Sequence, residues 1–268
     1  MESAPIRIGN QTSRSAPWDV AFKYAAQNGF DAFEWLSDNG AGGGWHESDM
    51  HPDIIQHVTS IARECDISFS IHAPWRSNPV SPDGRAAIEQ SIDLAYWIRA
   101  RLVNLHLWTE GGIECFAQAL TPLIEMARRS NIRLSVENTP QTTPEHFNKL
   151  FRILGGMART RGQVGMCLDM GHANLCGETR NNYLDFVDRL DASVPITHVH
   201  AHENWGDYDS HLTLFTGPSA SSEAGIRGLV QRLRIRRFAG SIIMEQWPSP
   251  PSQLFDARER LKRLFAGS

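Results

Sequence analysis

Short runs of β-type residues alternate with longer stretches of helical periodicity along the whole chain. The apolar runs and their flanking turn residues predict strands over 5–9, 30–35, 67–73, 102–107, 132–137, 164–169, 196–202 and 240–246. Apolar positions at helical spacing predict helices over about 17–28, 53–64, 83–100, 113–130, 144–154, 181–190, 222–236 and 252–265. The helix at 144 starts well: Thr143 can cap it, and Pro144 takes the first helical position, where its missing N–H costs nothing. Eight β-then-α units predict a single-domain α/β fold, a (β/α)8 TIM barrel over residues 1–268. An open doubly wound sheet loses its usual support, because no G-x-G-x-x-G follows the first strand. No Pro/Gly/Ser-rich stretch is long enough to divide domains, and "NGAGGGW" (39–45) reads as a flexible loop after the second strand.

Alternation within the strands carries the chemistry. Residues of one parity point to the barrel axis and the others to the helices. In "SFSIHAPW", Phe69 and Ile71 form the apolar set, which turns Ser68, Ser70 and His72 inward. By the same rule "LVNLHLW" turns Asn104 and His106 inward, and "IRLSVEN" turns Ser135 and Glu137 inward. "VGMCLDM" does so with Cys167 and Asp169, "ITHVHAHE" with His198, His200 and His202, and "SIIMEQW" with Glu245. The third to eighth strands thus each place a histidine or carboxylate near the C-terminal end, on the inward side. A barrel interior is normally filled by branched apolar side chains, and inward acids are costly unless paired or metal-bound. Each has a bland reading alone: His72 or His106 as a hydrogen-bonded core histidine, Glu137 or Glu245 as partner of Arg133 or Arg7. Six strands in phase argue against that reading and for a metal site at the C-terminal mouth, where barrel enzymes keep their chemistry. Local spacing adds His172, three residues after Asp169 in "LDMGH", and the pair Asp209 and His211 in "DSH". "HVHAHENWGDYDSH" (198–211) holds four of the 11 histidines. In it His198 lies one layer down, His200 is the candidate ligand, His202 and Glu203 stand at the rim, and Asp207 reads as a solvated turn residue.

"SIHAPW", "LSVENTP", "LDMGHANL", "HVHAHEN…DSH" and "IIMEQW", in that order, resemble the xylose isomerase-like TIM-barrel superfamily over about residues 5–250. That superfamily includes sugar isomerases and epimerases and endonuclease IV-type enzymes. The resemblance implies two site patterns. The epimerase-type pattern falls on Glu137, Asp169, His200 and Glu245, which would hold one Mn²⁺, Co²⁺ or Mg²⁺, with Glu137 and Glu245 as proton carriers. The endonuclease-type pattern adds His72, His106, His172, Asp209 and His211, binds three zinc ions, and makes Glu137 a bridge. With five histidines in the set, Zn²⁺ or Mn²⁺ is favoured over Mg²⁺, and one to three ions are expected. Three departures stand out. "LTLFTGP" (212–218) replaces the Gly-Glu-Gly turn of many relatives. The spacing from His200 to Asp209 is shorter than in the endonucleases. The arginine that sugar epimerases carry after the seventh-strand histidine is absent.

Composition narrows the partner. Net charge is -4 with a pI near 6.3, so no broad basic surface is expected and nucleic acid is an unlikely partner. "RLRIRR" (232–237) reads as the solvated face and end of a helix. Cys65, Cys115, Cys167 and Cys176 lack C-x-x-C spacing and read as reduced, mostly buried thiols of a cytoplasmic protein. "MESAPIRIGN" lacks the character of a leader, and no apolar run is long enough for a membrane span. Trp35, Trp75, Trp108, Trp205 and Trp247 follow strand ends, and a cluster of them at the mouth would suit a sugar ring or another small cyclic substrate. Glu34 and Glu203 are candidates to orient substrate hydroxyls or supporting histidines. The expected function is a metal-dependent isomerase or epimerase, with Glu137, Glu245 and His172 as its catalytic groups. A multinuclear phosphoesterase and a lyase or dehydratase on a cyclic polyol are the alternatives.

Overall fold

The first strand closes against the last. The computed structural model describes residues 6–13, 16–40, 43–45, 49–157, 160 and 162–267. In it β1 (Arg7–Gln11) pairs in parallel with both β2 (Ala32–Leu36) and β10 (Ser241–Met244). β5 (Ser68–His72), β6 (Leu102–His106), β7 (Arg133–Glu137), β8 (Val164–Asp169) and β9 (Ile196–His200) complete a closed parallel barrel, in the order β1-β10-β9-β8-β7-β6-β5-β2. These eight strands are the eight expected from the sequence, with ends moved by a few residues. Residue 5, which the expected first strand included, lies outside the described residues.

The expected helices appear as α1 (Trp18–Gln27), α2 (Pro52–Glu64), α3 (Pro82–Trp97), α4 (Ile113–Arg129), α5 (Pro144–Gly155), α7 (Tyr183–Asp188), α8 (Ala224–Ile235) and α9 (Ser252–Ala266). At the start of α5, Thr143 and His146 form a reciprocal capping pair. Two elements depart from expectation. The stretch after β2 holds an antiparallel ribbon, β3 (Asp38–Gly40) with β4 (Gly43–Trp45). A short helix, α6 (Met170–Leu175), follows β8 without a break, capped by the Asp169 carboxylate on the His172 N–H at 2.7 Å.

The parity rule holds around the barrel. Ile71, Val103, Leu105, Leu134, Val136, Met166, Leu168, Val199, Ile242 and Met244 are buried in the core cluster that the helices cover. Burying one such side chain contributes roughly 1.5–3 kcal/mol. A one-residue slip in any strand would exchange that apolar set for the inward polar one, so register and site placement are the same constraint. Neither arginine that might have neutralised an inward acid does so. Arg7 bonds Asp66, with 3.1 Å between Nη2 and Oδ1, and Arg133 is exposed. Of the cysteines, Cys167 and Cys176 are buried but Cys65 and Cys115 are exposed, and all four are free. Arg232, within the basic run, pairs with Asp188, and Arg236 donates to the carbonyls of Val187, Leu190, Asp191 and Val194. Among the described residues no helix is long and apolar enough to cross a membrane.

Candidate metal centre

Five neighbouring strands end on a donor: His72 on β5, His106 on β6, Glu137 on β7, Asp169 on β8 and His200 on β9, with Glu245 directly after β10. Glu137 is the hub. Its oxygens lie 3.1 Å from His72 Nε2, 3.4 Å from His106 Nε2, 3.3 Å from His172 Nδ1 and 3.2 Å from His200 Nδ1. The Asn104 amide donates to Glu137, and Ser135 Oγ donates to Asn104 Oδ1 at 2.7 Å, so the inward residues one layer down hold the hub in place. Glu245 Oε1 also lies 3.2 Å from His200 Nδ1. Farther out, Asp209 Oδ2 lies 3.3 Å from His172 Nε2 and 3.1 Å from His211 Nε2.

The imidazoles are preset by the groups behind them. Nδ1–H of His72 donates to the Ala73 carbonyl (2.7 Å), that of His106 to Trp75 (3.1 Å), that of His172 to Asn138 (2.9 Å) and that of His211 to Glu245 (2.8 Å). A carbonyl only accepts, so each of these four rings carries a proton on Nδ1 and turns its Nε2 to a carboxylate, Glu137 for His72 and His106 and Asp209 for His172 and His211. Metal-binding histidines characteristically donate their other ring N–H in this way. His211 reaches its carbonyl from a left-handed backbone (φ 45°), a costly conformation for a residue with a side chain. His200 is turned round: its Nε2 lies 2.8 Å from Glu34 Oε1, and its Nδ1 faces the mouth. Glu34 is fully buried beneath it and accepts from Ser70 and from His198 Nε2, each at 2.8 Å.

Burial disfavours the charged form of every group here, and the partners decide which way each one moves. Burial opposes ionisation of Glu137, yet His200 and His106 hold it well below the usual carboxylate range. Asp169 and Asp209 are lowered in the same way, against burial, by their histidine neighbours. His72 is pushed up to about 9 despite burial, because Glu137 accepts its hydrogen bond, and His211 rises to about 9 beside Asp209. Glu245 moves the opposite way from the other acids. Burial, helped by the charges of Glu137 and Asp169, pushes it up to about 7.

Three buried atoms facing the mouth have no well-aligned hydrogen-bond partner among the described residues: Glu137 Oε1, His200 Nδ1 and His202 Nδ1. Each orphan costs roughly 1–3 kcal/mol. A divalent cation is the partner that carboxylate oxygens and imidazole nitrogens share, so the residues present fit a metal. Groups of three donors lying within 4.8 Å of one another include His72, His106 and Glu137; His72, His200 and Glu245; Asp169, His172 and His202; and His202, Asp209 and His211.

A cavity of about 1180 Å³ opens above the donors. Trp75, Trp108 and Trp247 line it, together with Gln11, Gln246, His72, His106, His172, Glu137, Asp209, His211 and Glu245. Family membership then follows from the sequence match: the model of the family described as xylose isomerase-like TIM barrel matches residues 22–264. The chain belongs to this family.

Two relatives and one solved structure are similar to this chain. An uncharacterized protein of Methanocaldococcus jannaschii is 26% identical over 215 residues, covering 72% of this chain and 68% of its own. The probable endonuclease 4 of Thermoplasma volcanium is 23% identical over 202 residues, covering 72% of this chain and 71% of its own. A D-tagatose 3-epimerase-like protein has the same fold, with a TM-score of 0.74 at 22% identity over 97% of both chains.

Within this xylose isomerase-like barrel, Glu137, Asp169, His200, Glu245, His72, His106, His172, Asp209 and His211 all come together at the mouth, as do Trp75, Trp108 and Trp247. Four other expected site residues do not line the cavity. Trp35 is fully buried on the outward side of β2, packed on Phe22, Phe33, Phe69 and Trp45, because its neighbour Glu34 takes the inward parity. Glu34 lies beneath the donors, out of reach of a substrate. Trp205 is 59% exposed and borders a separate, smaller cavity. Glu203 is buried and accepts from the backbone N–H groups of Phe215, Gly217 and Ser219 and from Ser219 Oγ, which makes it the anchor of "LTLFTGP". One residue was underrated by the sequence. His202, expected at the rim, is fully buried among the donors with Nε2 3.1 Å from Asp169 Oδ2. Its signal was already present, since the inward parity of His198 and His200 continues to it.

Proposed function

We propose that this barrel is a divalent-metal-dependent isomerase or epimerase acting on a sugar or sugar phosphate. The carrying observation is the contrast between its two carboxylates. Glu137 accepts hydrogen bonds from His72 and the Asn104 amide, whereas among the described residues no group donates a hydrogen bond to the Glu245 carboxylate, which borders the cavity and has His200 Nδ1 3.2 Å away. At about 7, Glu245 can take a proton from a substrate carbon and return it near neutral pH. Glu137, Asp169, His200 and Glu245 would hold the ion, which when bound serves as a Lewis acid toward substrate oxygens. Trp75, Trp108 and Trp247 offer apolar faces to a ring, and Gln11 and Gln246 bring amides to its hydroxyls. Glu137, held ionised by its imidazole neighbours, would stay a ligand while Glu245 moves the proton. The D-tagatose 3-epimerase-like neighbour supports the same reaction class.

Hydrogen exchange from deuterated water into a panel of ketoses and ketose phosphates tests the reading. Exchange is expected with at least one of them, and Glu245→Gln should slow it by about 10²–10⁴-fold. No exchange with any member, in protein loaded with zinc or manganese, defeats the proposal. A phosphoesterase is the second reading, favoured by the added donors His72, His106, His172, Asp209 and His211 and by the endonuclease 4 relative. Hydrolysis of a simple aryl phosphodiester would move the conclusion there.

A further inference from the structure

His202 belongs to neither ligand pattern that the family resemblance carries, yet it is placed as a ligand. Its ring is fully buried. Nε2 lies 3.1 Å from Asp169 Oδ2, a carboxylate that accepts, so the ring proton sits on Nε2. Nδ1 then carries a lone pair, has no hydrogen-bond partner, and lies 3.8 Å from Asp209 Oδ1. A carboxylate behind one nitrogen and a bare lone pair at the other is how proteins preset a metal-binding histidine. The chain also makes room for the ring. A Cβ on Gly171 would fall 2.0 Å from His202 Cε1, so the glycine of "LDMGH" is what lets the imidazole lie there.

The donors facing it have tetrahedral spacing. Zinc with donors at 2.0–2.1 Å has donor–donor edges of about 3.3–3.4 Å. His172 Nε2 and His211 Nε2 stand 3.3 and 3.1 Å from Asp209 Oδ2. His202 and His211 are stacked with centroids 4.0 Å apart and 9° between their planes. Two lone pairs in parallel planes do not meet at one point, so binding of one ion by both rings would require one ring to turn.

We propose that His202 Nδ1 is a donor to an outer zinc position and that, with His172, Asp209 and His211, it closes that position to substrate. Three protein donors and an open place make a catalytic zinc site, whereas four protein donors make a structural one. The outer ion therefore pins the segment 202–211 to the end of β8, and substrate chemistry is left to the inner donors. The assignment rests on the reading of the mouth as a metal centre and does not depend on the reaction.

The test counts metal. The whole chain is loaded with zinc, dialysed against EDTA and analysed by mass spectrometry, as wild type, His202→Gln and Trp205→Ala. Glutamine keeps an N–H toward Asp169 and lacks the Nδ1 donor. Wild type and Trp205→Ala should keep the outer ion, and His202→Gln should retain about one ion fewer per chain. Loaded with cobalt(II), His202→Gln should also lose the strong visible bands of a four-coordinate ion. Equal retention with an unchanged cobalt spectrum overturns the proposal. Should His202→Gln fail to fold, anomalous scattering at the zinc edge from wild-type crystals decides. A peak about 2.0–2.1 Å from His202 Nδ1 supports the assignment, and zinc bound without that contact refutes it. Failure of ketose exchange would defeat the isomerase reading and leave these counts unaffected.

Discussion

Glu34 has one oxygen on His198 Nε2 and the other 2.8 Å from His200 Nε2, at the bottom of the mouth. Burial opposes its charge, but the two imidazoles hold it well below the usual carboxylate range, so it acts as a fixed anion under the donors. It aims His200 rather than meeting substrate. Glu34→Gln should weaken metal binding by about 10–100-fold in competition with a chelating dye. Unchanged affinity would reduce Glu34 to packing. Parity explains what was legible at this scale. Alternation put His72, His106, Glu137, Asp169, His200 and Glu245 on one side without reference to any relative. The same rule, applied to "AFEWL", would have sent Trp35 outward with Phe33, and extended past His200 it would have brought His202 inward. Distances were not legible, because they depend on which strands face each other across the axis.

Elements differ in how clearly alternation marks them. The barrel strands are long enough to show it. In α6 all six residues are buried, so no polar face exists to betray a helical period. The ribbon β3–β4 is glycine-rich and carries little pattern at all. "LTLFTGP" is ordered from a distance, by a residue that looked like a rim acid. Phe215 there has a left-handed backbone (φ 68°), and its N–H donates to Glu203 Oε2 at 2.9 Å. Glu203→Ala would strand several buried donors at once, which should destabilise the fold by about 3 kcal/mol in urea unfolding. A substrate-orienting role would instead raise KM and leave the unfolding midpoint in place, so the two measurements separate the roles.

At the scale of the whole molecule the mouth is a charge problem. Glu34, Glu137, Asp169, Asp209 and Glu245 converge there with seven of the 11 histidines, and no arginine among the described residues pairs with those acids. Without metal, protons do the balancing. His72 and His211, at about 9, are imidazolium at pH 7.5, which neutralises part of the carboxylate charge. A metal takes only the neutral ring, so loading must expel these protons. The sign follows from the raised values of His72 and His211, and of His172 and His200, which are raised as well: affinity rises with pH as these imidazoles lose their protons. Titration calorimetry with zinc in buffers of different ionisation enthalpy should register a net release of protons at pH 7.5. Loading should also stabilise the folded chain, since the unfolded one has no preformed site. At a free metal concentration 1,000-fold above the dissociation constant the gain is about 4 kcal/mol, or roughly 8 °C in Tm for a chain of this size. A chelator should reverse the shift. A Tm indifferent to both zinc and chelator would mean that the acids and imidazoles balance one another, and that the mouth is not a metal centre.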